Sequence, residues 1–512
     1  MPSGDVDVLI AGAGPTGLVL ALWLARRGVR VRIIDKATAP GTTSRALGVQ
    51  ARTLEFYRQL GFDDEAIARG VQVAGVNLWA RGRHVARGPL GPAGEGISRF
   101  PYMLVLPQEI HEALLIEKLE ETGVHVERDV ALTAFRDLGD RVDATISDHG
   151  VSTTCTAKYL AGCDGASSVV REGLDTGFPG GTYHRIFYVA DVEATGAVAN
   201  QELHVVLDDA DFLAVFPLHG TDAVRLVGTV LASSLERSTT LTWNDVSQRI
   251  LDRMQITVNG VRWFSTYHVH HRVANAFRRG RVFLAGDAAH IHSPVGAQGM
   301  NTGIGDAINL AWKIADVIQR RANATLLDTY QPERIEFARR LVKSTDRVFT
   351  LVTRNGIIAR TVRLHVVPRL APWLLGRKRV RRFLFRTVSQ TEITYRHVHW
   401  NEGNVGAIRG GDRLPWVELR NGGDNFAPLT SLDWQVHAYG DVPIAVRVVC
   451  DEHGLPLHRF AWEDAMKRVG LARNTGYLIR PDGYIALAGV TAAGMESFLA
   501  ARGIASGQPA PA

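Results

Sequence analysis

The chain has 512 residues, which exceeds one ordinary domain and predicts two to four compact units with sizeable cores. Its 58 basic and 52 acidic residues leave a formal net charge of +6, too small an excess to indicate nucleic-acid binding. The N-terminus lacks a secretory signal and no apolar run approaches the ~20 residues of a membrane span, so we expect a cytoplasmic protein without stable membrane insertion. The three cysteines have no C-x-x-C or metal-ligand spacing, which argues against disulfides and structural zinc.

The start of the chain carries a dinucleotide-binding signature. The run VDVLIA ends in the turn GAGPTG, a helix follows, and a second strand, VRVRIID, ends on an acid. In this order the glycines permit a tight turn, close approach of a pyrophosphate, and close packing of helix on strand. An acid about 18 residues after the last glycine binds a ribose 2′-hydroxyl, so FAD or NAD fits and the 2′-phosphate of NADP does not. The predicted contacts are Gly12, Gly14, Pro15, Thr16, Gly17, Asp35 and Lys36.

Two further stretches place an acid beside glycine after an apolar strand. KYLAGCDGASSVVRE presents Asp164 before a helix, and RVFLAGDAAH delivers Asp287 at the carboxyl end of a strand, where open α/β sheets bind ligands. Taken alone, Asp164 is better explained as a helix cap. His290 and His292 lack a visible third metal ligand, so structural hydrogen bonding is favoured and no metal is expected.

Together, GAGPTG, GCDGASSVVR and GDAAHIHSPVGAQGMNTGIGDAINLAWK resemble the class A FAD-dependent aromatic hydroxylases, the group of para-hydroxybenzoate hydroxylase, phenol hydroxylase and the polyketide hydroxylases. The resemblance covers roughly residues 5 to 400 and implies an α/β fold with a Rossmann-like FAD-binding domain of the GR2 type. It implies that the Asp164 loop serves both FAD and NADPH and that Asp287 binds the flavin ribityl chain. It also implies that Arg45 lies near the pyrophosphate and Gln108 near the ribityl chain or phosphate. Without it, Arg45 is a surface charge and Gln108 a polar residue at a helix start.

The turn VGAQGMNTG has little side-chain bulk, so its backbone N–H groups can lie near a ligand edge. The helix after it directs its dipole back at that ligand, and preorganised donors of this kind stabilise negative charge. By the resemblance, the pyrimidine end of the reduced flavin ring lies here. Ala297 stands where many polyketide hydroxylases have a glycine, a departure in loop geometry. The predicted contacts are Pro294, Gly296, Gly299, Met300 and Asn301.

Between residues 176 and 275 the pattern changes to alternating strands with turn residues, which predicts an antiparallel sheet. The resemblance implies that this sheet roofs the flavin and binds the substrate. In FLAVFPLHG, Phe212, Phe216 and His219 are candidates for packing on an aromatic substrate and for polarising a phenol. Core packing explains the two phenylalanines at least as well, and a turn explains His219.

The FAD-binding domain is expected to comprise residues 1–175 and 276–400. Its last helices are rich in cations, which is typical of a membrane-surface segment or, more often, of a solvated helix face or connector; the second interpretation is favoured because no second anchor is visible. These cations are Arg377, Lys378, Arg379, Arg381 and Arg382.

Residues 401–512 form a predicted last unit after a linker rich in Gly, Asn and Pro. Strands are predicted in DWQVHAYG and IAVRVVCD, a helix in FAWEDAMKRVG, a hairpin in TGYLIRPDGYIALAG and a final helix in GMESFLAARG. This order resembles the thioredoxin-like tail of the larger hydroxylases. Because it lacks C-x-x-C, redox work is excluded and a structural or homodimerisation role is expected.

The resulting hypothesis is a flavoprotein monooxygenase that uses NAD(P)H and O2 to hydroxylate a phenolic, polycyclic aromatic or polyketide-type substrate through a flavin C4a-hydroperoxide shielded from water. The cofactor carries this chemistry, so no catalytic side chain is required. Baeyer–Villiger oxygen insertion on the same fold, and a flavin dehydrogenase or reductase without oxygen insertion, are the alternatives.

Overall fold

The computed structural model describes residues 5–41, 46–196, 198, 200–207, 212–220, 223–230, 241–293, 295–353 and 361–504. Its first sheet has a parallel centre, as the strand and helix order at the start of the chain predicts. Val8, Leu9 and Ile10 of the central strand are fully buried, which is typical of a strand covered on both faces. The parallel strands lie in the order Val282–Leu284, Val151–Gly162, Val6–Ala11, Val31–Asp35, Val126–Arg128.

Antiparallel strands extend this sheet. Arg278–Arg279 pairs with the edge strand, and Val142–Asp148 and then Val130–Asp137 continue from the long strand Val151–Gly162. The sheet is therefore mixed, which confirms the predicted α/β class.

Three helices bring the glycine motifs together. Pro15–Arg26 packs against both Gln108–Glu120 and Gly299–Ile318. The remaining α-helices that the described residues form before residue 400 are Ala51–Gln59, Asp63–Ala68, Gly91–Gly94, Val169–Leu174, Gln248–Arg253, Tyr330–Thr353, Val367–Gly376 and Lys378–Val388.

The second sheet, which we call the middle sheet, has eight strands within the described ranges, all paired antiparallel except Gly75–Ala80 with Leu203–Leu207. Two of its strands come from before residue 175 and a third, His290–Ile291, from after residue 275, so the sheet extends beyond its predicted segment at both ends. Its order is His290–Ile291, Thr257–Val273, Gly180–Thr195, Ala223–Thr229, Phe212–Pro217, Leu203–Leu207, Gly75–Ala80, Arg83–Pro89. A separate small sheet consists of Gly48–Val49, Met103–Val105 and Val71–Val73.

The C-terminal unit has a four-stranded sheet in the order Leu457–Phe460, Gln435–Tyr439, Thr475–Ile479, Ile485–Ala488. The prediction of a strand in IAVRVVCD is wrong, because Ile444–Glu452 is a helix. Val446, Val449 and Cys450 are its buried residues, a helical spacing, and the parallel pairing of the first two strands needs a crossover connection. The other helices are Asp464–Arg468 and Ala492–Arg502.

Within the described ranges, none of the helices combines the length and the apolar character that crossing a bilayer requires.

Candidate active site

The glycine turn of residues 12–17 lies against the loop that carries Asp164. Gly12 has a φ of +101°, and a Cβ there would lie 2.3 Å from the carbonyl oxygen of Cys163. A Cβ on Gly17 would lie 2.0 Å from the carbonyl oxygen of Gly12, so the helix packs directly on the turn. At Gly14 the geometry differs, since an added Cβ meets no protein atom within 4 Å. Two of the glycines therefore serve packing, and the third faces space beside the helix N-terminus.

Asp35 holds this turn from the end of its strand. Its carboxylate accepts hydrogen bonds from the backbone N–H of Ala13 at 2.7 Å and of Ala37 at 2.8 Å. Arg128 Nη1 lies 3.7 Å from the same carboxylate. Lys36 is exposed at the adjoining position, and Arg45 lies outside the described residues.

Gln108 begins its helix and donates to Glu112 at 2.6 Å. Burial raises the pKa of Glu112, and the negative charge of Asp35 adds to this increase. The hydrogen bond from Gln108 and the charge of Arg128 oppose it. Gln108, Asp35 and Arg128 are thus neighbours of one buried carboxyl group, although they are far apart in sequence.

The Asp164 loop follows the strand beside the first glycine turn. Asp164 Oδ2 accepts a hydrogen bond from the backbone N–H of Val170 at 3.2 Å, which is the helix-start role weighed above. Burial raises its pKa. Arg171 donates to the carbonyl oxygen of Ala288 at 3.1 Å, so this loop is tied to the loop that carries Asp287.

The loop that carries Asp287 contacts the N-terminal glycine motif at Thr16. Added Cβ atoms on Gly286 and Gly303 would lie 2.6 Å and 2.3 Å from Thr16 Oγ1, so only glycine lets these three elements meet. Asp287 follows Gly286 and its side chain is exposed. The structure therefore places all three glycine and acid motifs around one region.

A buried carboxylate beneath this loop fixes its geometry. Asp306 accepts hydrogen bonds from Gly286 N–H at 3.1 Å, His290 Nε2 at 2.6 Å and Arg334 Nε at 2.6 Å. Burial disfavours its charge, but Arg334 and His290 outweigh that effect and lower the pKa of Asp306. Arg334 also donates to the carbonyl oxygen of Thr302 at 3.0 Å, which joins the loop to the following helix.

The two histidines of the loop are engaged with protein groups. His290 bonds Asp306, and His292 Nδ1 bonds the carbonyl oxygen of Ser293 at 2.7 Å. Because that carbonyl only accepts, Nδ1 carries the proton and Nε2 of His292 is an acceptor. Among the described residues, no group of three His, Cys, Asp or Glu side chains is placed to hold a metal.

Asn301 fastens the glycine-rich turn to the segment before helix Ala51–Gln59. Its Oδ1 accepts from Gln50 N–H at 2.8 Å and Thr53 Oγ1 at 2.7 Å, and its Nδ2 donates at 2.8 Å to the carbonyl oxygens of Gly48 and Ala297. The side chain of Asn301 therefore shapes the turn.

Ala297 has a φ of +51°, a left-handed conformation that favours glycine. Its Cβ would lie 2.6 Å from a Cβ on Gly48, so the extra methyl group at residue 297 fits only because residue 48 is glycine. Gly296, at φ +77°, precedes it, while Pro294 lies outside the described residues. Gly299 and Met300 are half-buried in the first turn of helix Gly299–Ile318.

Neither helix N-terminus at this site is capped by a side chain. Helix Pro15–Arg26 begins after Gly14, and helix Gly299–Ile318 begins after Gln298, and in both the capping residue makes no side-chain cap hydrogen bond. Their first N–H groups and the positive ends of their dipoles are thus directed at the space between the motifs. The arrangement suits a ligand with negative charge at two separated places.

The middle sheet covers this region with an aromatic face. Phe216 and Ala297 pack against the same apolar cluster, which contains Met103, so the sheet and the glycine-rich turn are joined through this cluster. Phe212 lies further along the same face, 6.3 Å from the ring of Phe187. His219 lies in an exposed turn beyond the strand. The face comprises Phe187, Val189, Phe212, Ala214, Phe216, Val227, Trp263 and Tyr267, and we call it the inner face.

Comparison with known proteins identifies the ligand. Residues 5–345 match the model of the FAD binding domain family. The chain belongs to this FAD-binding family. It is 39% identical over 359 residues to 6-methylpretetramide 4-monooxygenase of Streptomyces rimosus, a match that covers 69% of this chain and 63% of that relative. It is 33% identical over 495 residues to a flavin-dependent monooxygenase of Mycobacteroides abscessus, covering 94% and 96% of the two chains. The solved structure of OxyS, an anhydrotetracycline hydroxylase from Streptomyces rimosus, matches with a TM-score of 0.77 at 28% identity, covering 99% and 100%.

These relationships confirm the predicted resemblance to class A flavoprotein aromatic monooxygenases, with FAD as cofactor. The described residues fit FAD on independent grounds. Asp164 Oδ1, Arg128 Nη2 and His292 Nε2 are buried and meet no hydrogen-bond partner among the described residues, and buried polar atoms normally have one. With the space at Gly14 and the two uncapped helix ends, they supply donors and acceptors to a long polar cofactor.

Sequence reasoning missed the residues that support the site from below. Asp306, Asn309, Lys313 and Asp316 are buried polar residues of an otherwise apolar helix, at spacings of three and four. This row of polar residues on an apolar helix could have indicated a buried polar network, because buried charges require buried partners. Arg128, Gln50 and Gly48 carry no local pattern and emerge only from the fold.

Proposed function

We propose that this flavoprotein uses NAD(P)H and O2 to hydroxylate a phenolic or polycyclic aromatic substrate of the polyketide type. The observation that carries the proposal is the aromatic inner face packed over the glycine-rich turn, since Phe216 and Ala297 share one cluster. Aromatic rings on one face and a cofactor cradle on the other define a slot for a flat ring system.

Each part of the cradle is assigned a part of FAD. Gly14 and the N-terminus of helix Pro15–Arg26 receive the pyrophosphate, and Asp35 accepts from the adenosine ribose. Asp287 would bind the ribityl chain, and the Asp164 loop would serve both FAD and NADPH. When bound, FAD supplies the hydride acceptance and the activation of O2 that no side chain provides.

The glycine-rich turn is assigned to the flavin ring. The backbone N–H groups after Gln298, with the helix dipole behind them, stabilise negative charge at the pyrimidine end of the ring without reorganisation. The inner face of the middle sheet excludes water from the other side, which protects oxygen transfer from hydrolysis.

The substrate class follows from the relatives and from the inner face. Relatives named for 6-methylpretetramide and anhydrotetracycline support a tetracyclic or similar polyketide phenol. Arg225 lies on the inner side of its strand, bonded to Asp191 at 2.6 and 2.7 Å and 5.6 Å from the ring of Trp263, so a fixed cation borders the slot. Asp191 and Glu109, which lies 3.7 Å from Arg225, balance this charge, so the ion pair fixes a polar edge of the slot.

We assign residues 401–512 a structural role as a thioredoxin-like unit. Cys450 is the sole cysteine of this segment, so it forms no dithiol pair. Trp434 of this unit packs on Trp312 at 5.5 Å and donates to Asp316 at 2.8 Å, which braces the helix that starts at the flavin site.

The test is a steady-state assay of the FAD-loaded protein with NADPH or NADH, a panel of naphthols and tetracyclic phenols, oxygen uptake and product mass. A product heavier by one oxygen atom that carries a new hydroxyl group on an aromatic carbon supports hydroxylation. A lactone or ester product would instead assign Baeyer–Villiger insertion, and hydride transfer to another acceptor without oxygen uptake would assign a dehydrogenase. Phe216→Ala should raise KM several-fold, whereas Phe264→Ala, on the opposite face of the sheet, is the matched control and should leave KM unchanged.

A further inference from the structure

Helix Val367–Gly376 presents an apolar face to solvent. Val366, Leu370, Trp373 and Leu374 follow one another at helical spacings of four, three and one, and are 40%, 49%, 56% and 38% exposed. None of the residues in this helix is buried. Exposed leucines occur singly on most proteins, but a contiguous exposed stripe containing Trp marks an interaction surface.

The next helix, Lys378–Val388, adds a second exposed aromatic side chain. Phe383 is 58% exposed and lies between Arg379 and Arg386 on one helix face, while Leu384 beside it is 42% exposed. The helix is held in place from its other side. Phe385 is buried against Gly94, and Arg382 donates to the carbonyl oxygen of Glu95 at 2.8 Å. Phe383 and Leu384 are therefore presented by an anchored helix.

The charge of this segment has one sign. From Thr361 to Thr391 the sequence contains eight Lys and Arg residues and no Asp or Glu. Arg377 lies 3.6 Å above the ring of Trp373, so cation and aromatic side chain are presented together. Such a surface repels a second copy of itself across a two-fold axis, because like charges would then meet.

We propose that this surface, defined by Val366, Leu370, Trp373, Leu374, Phe383 and Leu384 with the surrounding cations, binds the surface of an anionic phospholipid bilayer. Basic helices with exposed Trp, Phe and Leu lie in the bilayer interface, where the apolar side chains enter the acyl boundary and the cations meet phosphate headgroups. Membrane contact of this kind is peripheral and requires no spanning segment. It would place the enzyme where apolar aromatic compounds partition.

The test is flotation of the FAD-loaded full-length protein with vesicles of equal parts phosphatidylglycerol and phosphatidylcholine, compared with pure phosphatidylcholine. We expect binding to the anionic vesicles only. The double variant Trp373→Ser/Phe383→Ser should bind at least about tenfold more weakly, from the loss of two buried apolar side chains. Arg379→Gln should weaken binding about fivefold, the effect of one cation near an anionic surface. The control Val151→Ser/Ile444→Ser changes two apolar residues elsewhere that are even more exposed, and it should bind like the wild type.

Flavin absorbance and thermal midpoint check that each variant is folded, since all these positions are exposed. No flotation with anionic vesicles, equal flotation with neutral ones, or unchanged flotation of the Trp373 and Phe383 double variant would overturn the proposal. A wild-type dimer that this variant dissociates, without vesicle binding, would assign the surface to a second copy. Binding of polyglutamate as tight as that of anionic vesicles, lost in the same variant, would assign it to an acidic protein. Hydroxylase activity in detergent-free buffer is a separate readout, so failure here leaves the proposed function standing.

Discussion

Asp306→Asn tests whether the network beneath the Gly286 loop builds the flavin site. The substitution keeps size and removes the charge that faces Arg334 at 2.6 Å and His290 at 2.6 Å. Arg334 is only 1% exposed, and leaving one member of a buried ion pair unpaired costs about 3–5 kcal/mol. Because Arg334 keeps its bond to Thr302, we expect the lower end, about 3 kcal/mol of unfolding free energy. Gly286 N–H exchanges a charged acceptor for a neutral one, about 1 kcal/mol, so FAD should bind about fivefold more weakly.

Urea unfolding of the apoprotein and flavin fluorescence titration measure these two quantities. The matched control is Asp316→Asn, on the same helix about 15 Å away. Its carboxylate bonds Arg27 at 2.6 Å and Trp434 at 2.8 Å, away from the flavin site, so it should lose stability yet bind FAD like the wild type. Equal FAD affinity of the wild type and Asp306→Asn, or a stability loss below about 1 kcal/mol, would refute the reasoning.

Three further predictions address the turn, the cradle and acid stability. Ala297→Gly should raise the free energy of unfolding in urea by about 0.5–1 kcal/mol, since it removes an alanine from a left-handed conformation. Gly48→Ala should lower it by at least about 1 kcal/mol, because the new Cβ would lie 2.6 Å from the Cβ of Ala297. Gly14→Ala should change apoprotein stability by less than about 1 kcal/mol but weaken FAD about tenfold or more, measured by fluorescence titration; equal FAD binding would place the pyrophosphate elsewhere. Burial lowers the pKa of His292 to about 4 and of His437 to about 3, so the unfolded chain alone takes up protons just below pH 6.5. The urea midpoint should therefore fall as the pH is lowered from 6.5 to 4, and a flat profile there would contradict the assigned burial.

The parts of the fold with dense local signals could be predicted from the sequence. Strand Val6–Ala11 and the start of helix Pro15–Arg26 lie where they were predicted, and strand Val31–Asp35 begins two residues later than the run VRVRIID, because apolar runs and glycine turns encode these elements locally. The middle strands followed from period-two alternation for the same reason. Helix Ile444–Glu452 was misassigned because its β-branched residues favour a strand locally, while the crossover between parallel strands requires a helix.

The supporting residues of the site could not be predicted, because their partners come from distant segments. Asp306 meets Arg334 and Gly286, and Asn301 meets Gly48 and Gln50, across separations that no local pattern records. The compensation between Ala297 and Gly48 is of the same kind. The sequence shows the departure from the family pattern at Ala297. The glycine that makes room for its methyl group, Gly48, lies 249 residues earlier, the difference between 297 and 48.

The most direct test of the central claim is a reaction under isotopically labelled O2. The FAD-loaded enzyme is given NADPH or NADH and a tetracyclic or naphthol substrate, and the product is analysed by mass spectrometry. The assigned function predicts one labelled oxygen atom in the product, bound to an aromatic carbon, with one NAD(P)H oxidised for each product formed. Consumption of NAD(P)H with transfer of its electrons to another acceptor, and no label in any aromatic product, would contradict it.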